Sequence, residues 1–224
     1  MSESPEPRKF KRIPIEKRFS GPKFKGEFRR LKEGARSIEK QLWDAFKLPP
    51  DSEDVLLEIV SRIRPRLVDL ALEARNFAKQ YRGFKVGAVA LGIRNVDVGE
   101  NPWVILFDAN TKPRKNDPKH CAEQYIMDKI HDPKWQIYRI VSFAVVGVPQ
   151  TDDESLRTQI TLTPCKWCRD RMFEMTTQQP QIISPRTEVY TADARDPRYH
   201  KFQTVGTHHE LHGEQLEKDI FELD

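Results

Sequence analysis

The stretches Lys119–Gln124 (KHCAEQ) and Thr163–Asp170 (TPCKWCRD) hold every cysteine of this 224-residue chain: Cys121, Cys165 and Cys168. The second follows ITLT (residues 160–163), an extended β-type run, and opens a helix. Two thiols three residues apart at a helix start can face one point, where unpaired N–H groups and the helix dipole favour thiolate. Such a pair is half of a tetrahedral zinc site. No second C-x-x-C exists to complete a structural site, so Cys121 is the remaining sulfur donor. Three protein ligands with one open position is the layout of a catalytic zinc.

Glu123 then narrows the chemistry. Two residues after Cys121, it can stand beside the open position without binding the metal, and can move a proton between water and a substrate nitrogen. The pattern C-A-E … P-C-K-W-C fits that of zinc-dependent base deaminases, in which a His or Cys, one residue and a Glu precede P-C-x-x-C. Two competing readings are weaker. Three unrelated core thiols would suit cysteine's tendency to be buried, and a thioredoxin-like pair would leave Cys121 and Glu123 unexplained. The histidines at 208, 209 and 212 read as a solvated loop, and His120 as a surface or neighbouring group.

Around these motifs the hydrophobic period sets the elements. Residues 35–46 (ARSIEKQLWDAF) form a short amphipathic helix, ended by KLPPDSED, which supplies a break and a new N-cap. From Val55 to Gln80 apolar residues recur at helical spacing, and Pro65 is expected to kink the run or split it. The period then changes. FKVGAVALGI (84–93), WVILFDA (103–109), YRIVSFAVVGV (138–148) and RTEVYTA (186–192) read as strands. CAEQYIMDKI (121–130), CKWCRDRMFEM (165–175) and GEQLEKDIFEL (213–223) read as helices. Strands alternating with helices indicate an α/β sheet with helices on both faces.

The charge is uneven. Met1–Ala35 carries eleven Lys/Arg against five Asp/Glu, a net of +6, so the remainder holds −2 of the total +4. Residues 1–33 read as a basic, disordered arm in which Phe10, Phe19, Phe24 and Phe28 interleave with the cations. Either these rings pack on the domain, or the arm meets nucleic acid or another acidic partner. Residues 34–65 are expected as a helical extension and 66–224 as the catalytic domain. No segment approaches the roughly 20 apolar residues of a membrane span. Few cysteines and no signal-peptide pattern argue against a disulfide framework and for the cytoplasm.

Taken together, residues 66–192 resemble the cytidine deaminase superfamily, particularly the small nucleoside deaminases. Beyond the zinc motifs, LALEARNFAKQYRGFKVGAVAL (70–91) resembles the family's first helix and strand, with F-x-V-G-A at Phe84–Ala88. The resemblance implies a three-layer α/β/α sheet with an N-terminal helical and basic extension. It implies Zn²⁺ held by Cys121, Cys165 and Cys168, with Glu123 as proton shuttle. Backbone groups around Ala122, Thr163 and Pro164 would meet the pyrimidine, Phe84 would pack near the base and Asn110 would bind a ribose hydroxyl. The activity implied is hydrolytic deamination of a cytosine nucleoside, nucleotide or related small molecule, by a homo-oligomer (dimer or tetramer).

Three departures bear on substrate. Lys112 stands where the nucleoside enzymes carry a sugar-binding Glu; an ammonium there invites an anion, with Lys115 and Lys119 in the same loop, or is an ordinary surface lysine. Gln124 replaces an Arg usual beside three cysteine ligands, and Arg169 is the candidate to offset their charge, or an exposed salt-bridge residue. The intervals 84–110 and 121–165 are longer than in compact relatives. The alternatives are a deaminase editing single-stranded RNA or DNA, and a non-catalytic zinc-bearing interaction module.

Overall fold

The structure is a computed structural model that describes residues 15, 22–80, 84–112, 119–148, 164–197 and 200–207. Helix α1 (Pro22–Ala45) places Leu31, Ala35, Ile38 and Leu42 on one buried stripe, the spacing of a helix packed along one face. It is twice the expected length. Residues 22–33, expected in the arm, are its first half, because Leu31 anchors that half and Phe24 and Phe28 pack against the same core. Phe10 and Phe19 lie outside the described residues.

Helix α2 (Glu53–Arg75) follows with Pro65 inside it, so of the two outcomes expected at that proline, a kink or a split, the split does not occur. Pro65 is exposed, so the Ser61 carbonyl that loses its partner faces water, while Ile63 and Leu67 on the opposite side remain fully buried. The helix also ends earlier than the periodicity suggests, with Asn76 as its C-cap. Lys79–Gln80 is instead a short strand, β1. Beyond it come β2 (Val86–Arg94), β3 (Trp103–Ala109), β4 (Thr111–Lys112), α3 (Ala122–Ile130), a short 3₁₀ turn at Pro133–Trp135 and β5 (Ile137–Gly147). The described chain ends with α4 (Lys166–Gln178), β6 (Glu188–Asp193) and β7 (His200–Thr204).

Five strands form one mixed sheet in the order β3-β2-β5-β6-β7, and β1 pairs separately with β4. Within the five-stranded sheet only β5 and β6 pair in parallel, which requires a crossover, and α4 lies within it; β1 and β4 also pair in parallel. The sequence reading missed β7, which carries His200 beside Tyr190. The closing helix 213–223 and the histidines at 208, 209 and 212 fall outside the described residues.

Side-chain alternation divides the core into two layers. Val89, Leu91 and Ile93 of β2 face α1 and α2, while Ala88 and Ala90 face α3 and α4. In β5 an extra residue, Val141, interrupts the register opposite Leu91 and Gly92. That bulge sends Val141 to the α1/α2 side between Ile140 and Phe143, which both face the other side. The arrangement is the expected three-layer α/β/α fold. Gly87 is where α2 comes closest to the sheet: a Cβ there would meet Ala71 O at 2.0 Å and Arg75 N at 2.5 Å. The glycine of the F-x-V-G-A run is therefore a packing requirement.

The outer edge of the sheet, β3, is covered by side chains. The Ile105 N–H donates to Glu39 Oε1 (2.7 Å), and Lys129 Nζ donates to Phe107 O (2.6 Å) and Asp108 Oδ2 (2.9 Å). This occupies backbone groups that would otherwise template a further strand. A cavity of about 320 Å³ runs along this edge between α1 and α3, lined by Phe28, Phe107 and Trp135 among others. None of the three cysteines borders it. No helix among the described residues is long and apolar enough to cross a membrane.

Candidate metal centre

Two helix starts meet at one end of the sheet. Cys121 is the N-cap of α3, Cys165 the N-cap of α4, and Cys168 lies in the first turn of α4, fully buried. Cys121 Sγ is 3.3 Å from Cys165 Sγ, and Cys165 Sγ is 3.5 Å from Cys168 Sγ. All three sulfurs lie within 4.8 Å of one another, and none is in a disulfide. Zinc–sulfur bonds of about 2.3 Å in a tetrahedron hold sulfurs roughly 3.8 Å apart. The spacing and the donor type both fit that ion.

The contacts between the thiols also set the charge. The Cys165 thiol is pulled far below its ordinary value, first by hydrogen bonding with Cys121 and Cys168, and further by the backbone at Cys168 and the charge of Lys119. Hydrogen bonding with Cys165 pushes Cys121 up, bonding with Cys121 and then Cys165 pushes Cys168 up, and burial and the charge of Glu123 add to both. A bound divalent cation would favour thiolate on all three.

Glu123, in the first turn of α3, is only 3 % exposed. Burial pushes its carboxyl up to about 7, the negative charge at Cys165 adds to this, and its own backbone N–H and Lys119 oppose it. A carboxyl poised near neutrality can both accept and return a proton. Gln124 closes the start of α3 by accepting the Cys121 N–H on Oε1 at 3.4 Å. Arg169 is buried, not an exposed salt-bridge residue. Its Nη1 donates to the Pro164 carbonyl at 2.8 Å, which fixes the turn entering α4.

The sequence between residues 62 and 183, more than half of the chain, matches the family described as the cytidine and deoxycytidylate deaminase zinc-binding region. The chain belongs to this family. It is a zinc-dependent deaminase with a cytidine deaminase-like α/β fold. A search of curated proteins finds no significant match. Among solved structures, the cytidine deaminase of Burkholderia pseudomallei superposes with a TM-score of 0.45 at 21% identity, covering 63% of this chain and 92% of that one. The cytidine deaminase of Mycobacterium leprae gives 0.41 at 17%, covering 66% and 95%.

Of the remaining residues singled out in the deaminase sequence, Phe84 and Ala122 share the apolar cluster of the cysteines. Phe84 packs in the same apolar cluster as Cys121 and Cys165. Ala122 is fully buried at the first position of α3. Asn110 is 1 % exposed; its Oδ1 accepts the Val86 N–H (2.8 Å) and its Nδ2 donates to Phe84 O (2.9 Å). Its side chain thus holds the entry to β2 in place. Lys112 is half-buried in β4. Thr163, like the rest of ITLT, lies outside the described residues.

Sequence reasoning missed the clamp behind the centre. Thr111 and His120 exchange two backbone hydrogen bonds of 2.9 Å. The Thr111 hydroxyl bonds Tyr125 OH at 2.8 Å, and the Tyr125 ring lies 5.6 Å from that of His120. These contacts tie β4 to the residue preceding Cys121. Tyr125 sits one helical turn past Cys121, but nothing in the sequence names Thr111 as its partner.

Proposed function

We propose that the enzyme hydrolytically deaminates the cytosine of a small molecule, a nucleoside or nucleotide, to the uracil form with release of ammonia. The observation that carries this reading is Glu123: a buried carboxyl adjacent to three clustered thiols, with no cation bonded to it among the described contacts. A fold gains nothing from such a group. A deaminase needs it.

The residues present fit a zinc ion held by Cys121, Cys165 and Cys168, which when bound would act as a Lewis acid and make water nucleophilic at neutral pH. The chain's own groups do the rest. Glu123 takes the proton that the attacking water gives up and passes it to N3 of the ring as addition occurs at C4. As the C4–N bond breaks, it takes the proton of the new C4 hydroxyl and delivers it to the departing amino group, so ammonia leaves, the C4 carbonyl forms and one carboxyl serves two transfers. The Ala122 N–H, in the first turn of α3 where no intrahelical acceptor exists, suits the pyrimidine carbonyl. The Pro164 carbonyl has a second lone pair beyond the one taken by Arg169 and suits the amino group. Phe84 supplies an apolar wall against the base. Asn110, held by its bonds with Val86 and Phe84, is the residue assigned to a sugar hydroxyl.

A second reading, action on a single-stranded polynucleotide, is supported by Trp167. This ring lies between two thiol residues in the first turn of α4 and is 51 % exposed, beside exposed Lys166. Exposed aromatic rings with adjacent cations are what stacked bases and phosphates bind. Ammonia release from cytidine, cytidine monophosphate and a short cytosine-containing strand, each at two salt concentrations, tests both readings. No release from any of the three removes the first. Release from the strand alone favours the second.

A further inference from the structure

The Glu123 carboxyl takes a hydrogen bond from its own backbone N–H, so it travels with the first turn of α3. Ala122, Ile126 and Met127 bury that helix against the sheet, but apolar contacts have no direction. Two polar side chains supply one. Lys129 reaches β3 through Phe107 O and Asp108 Oδ2. One turn earlier, Tyr125 OH shares its 2.8 Å hydrogen bond with Thr111 Oγ1. Each of these two residues is 7 % exposed, so the bond is shielded from water. Thr111 is itself held, by its backbone bonds with His120 and by the pairing of β4 with β1. Cys121 follows His120, and the Tyr125 N–H donates to the Cys121 carbonyl at 3.3 Å. Thr111, His120, Cys121 and Tyr125 thus close a ring that contains the N-cap of α3. Glu123 lies between Cys121 and Tyr125, about 200° around the helix from Tyr125 at 3.6 residues per turn. With side chains reaching about 5–6 Å from the axis, a turn of α3 by about 10° moves the carboxyl by roughly 1 Å.

We propose that Tyr125 is a positioning residue of this enzyme: its hydroxyl, bonded to Thr111, fixes the rotation of α3 and so holds the Glu123 carboxyl beside the sulfurs. The inference rests on the reading of Glu123 as the proton carrier. A zinc ion held by the sulfurs would fix α3 at Cys121 alone, one point at its start. The Tyr125–Thr111 bond adds a second point one turn further along, and two points define a rotation. Misplacing a reacting group by about 1 Å can cost about a hundredfold in rate. Substrate binding does not depend on the same carboxyl placement, so the effect belongs in kcat and not in KM.

The test uses the zinc-loaded full chain and its Tyr125→Phe, Thr111→Val and Thr111→Ser variants. Ammonia release is followed with whichever of cytidine, cytidine monophosphate or a short cytosine strand the wild type turns over. Tyr125→Phe and Thr111→Val are each expected to lower kcat about tenfold, with KM within about twofold and zinc content unchanged. Thr111→Ser keeps the hydroxyl and is expected to restore kcat to within about twofold of the wild type. The double variant Tyr125→Phe/Thr111→Val should lose no more than either single one, because both remove the same bond. A bond that only stabilises the fold would lower the unfolding temperature and leave kcat of the folded enzyme alone; that result overturns the proposal. So does a loss of zinc, or a rise in KM at constant kcat, since either gives the hydroxyl a different task. If the wild type releases ammonia from nothing offered, the deaminase reading fails, and crystal structures of the zinc-loaded wild type and Tyr125→Phe then judge the positioning by themselves. A Glu123 carboxyl displaced from the sulfurs by about 1 Å in the variant supports it. An unmoved carboxyl removes it.

Discussion

Glu123→Gln separates catalysis from architecture at a single position. Glutamine keeps the size and one acceptor oxygen but cannot carry the proton. General acid–base groups contribute roughly 10²–10⁴ in rate, and Glu123 is assigned two proton transfers, so ammonia release should fall at least about a thousandfold. Zinc content should be unchanged, because the sulfurs are untouched. Stability supplies an independent sign. The folded carboxyl sits at about 7 rather than 4.5 because it is buried. A group raised in the folded state stabilises while protonated, and that stability is lost as pH climbs through the folded value. The shift corresponds to about 3 kcal/mol at most, less any part that bound zinc returns. Glutamine has nothing to ionise. The variant should therefore match the wild type in urea unfolding near pH 4.5 and exceed it above pH 7. Three measurements decide the matter: ammonia release, zinc by elemental analysis, and unfolding at the two pH values. A variant that keeps more than a tenth of its activity, or is less stable than the wild type at pH 8, would refute the assignment.

Other consequences can be checked separately. Cys165→Ser should lower zinc occupancy to background in elemental analysis and abolish activity, because a hydroxyl is a poor substitute for the thiolate central to the sulfur cluster. Gly87→Ala should cost about 3 kcal/mol or more in urea unfolding, since the new methyl would strike the α2 backbone and no side-chain rotation relieves it. Glu39 is also raised, first by burial, although its bond from the Ile105 N–H opposes this. Glu39→Gln should gain stability relative to the wild type as pH rises above 4.5, while Glu39→Ala should lose about 1–3 kcal/mol at any pH by leaving the edge-strand N–H without its acceptor.

The metal centre was legible in the sequence to an unusual degree, for a local reason. Cys165 and Cys168 lie in one helical turn, and Cys121 and Glu123 in another, so each half of the centre is fixed by spacing alone. The strands at 84–93, 103–109 and 186–192 were legible because β-branched and apolar runs there are short and bounded by turn signals. The failures came where a tertiary contact overrode a local rule. Pro65 should interrupt a helix, but α2 continues because the sheet holds Ile63 and Leu67 while water receives the freed carbonyl. Residues 22–33 look like a charged arm in composition, yet Leu31, Phe24 and Phe28 find an apolar surface that composition cannot reveal.

The sequence by itself determined which three cysteines could hold zinc, the carboxyl two residues past Cys121 and the layered class, since these follow from residue identity and spacing within single elements. The tertiary structure alone decided that the two helix starts converge to bring the sulfurs within 4.8 Å, that Arg169 is buried against Pro164, and that Thr111 bridges to His120. Those facts depend on pairings between segments distant in the chain. Burial and strand register fix them, and neither is written in any short stretch.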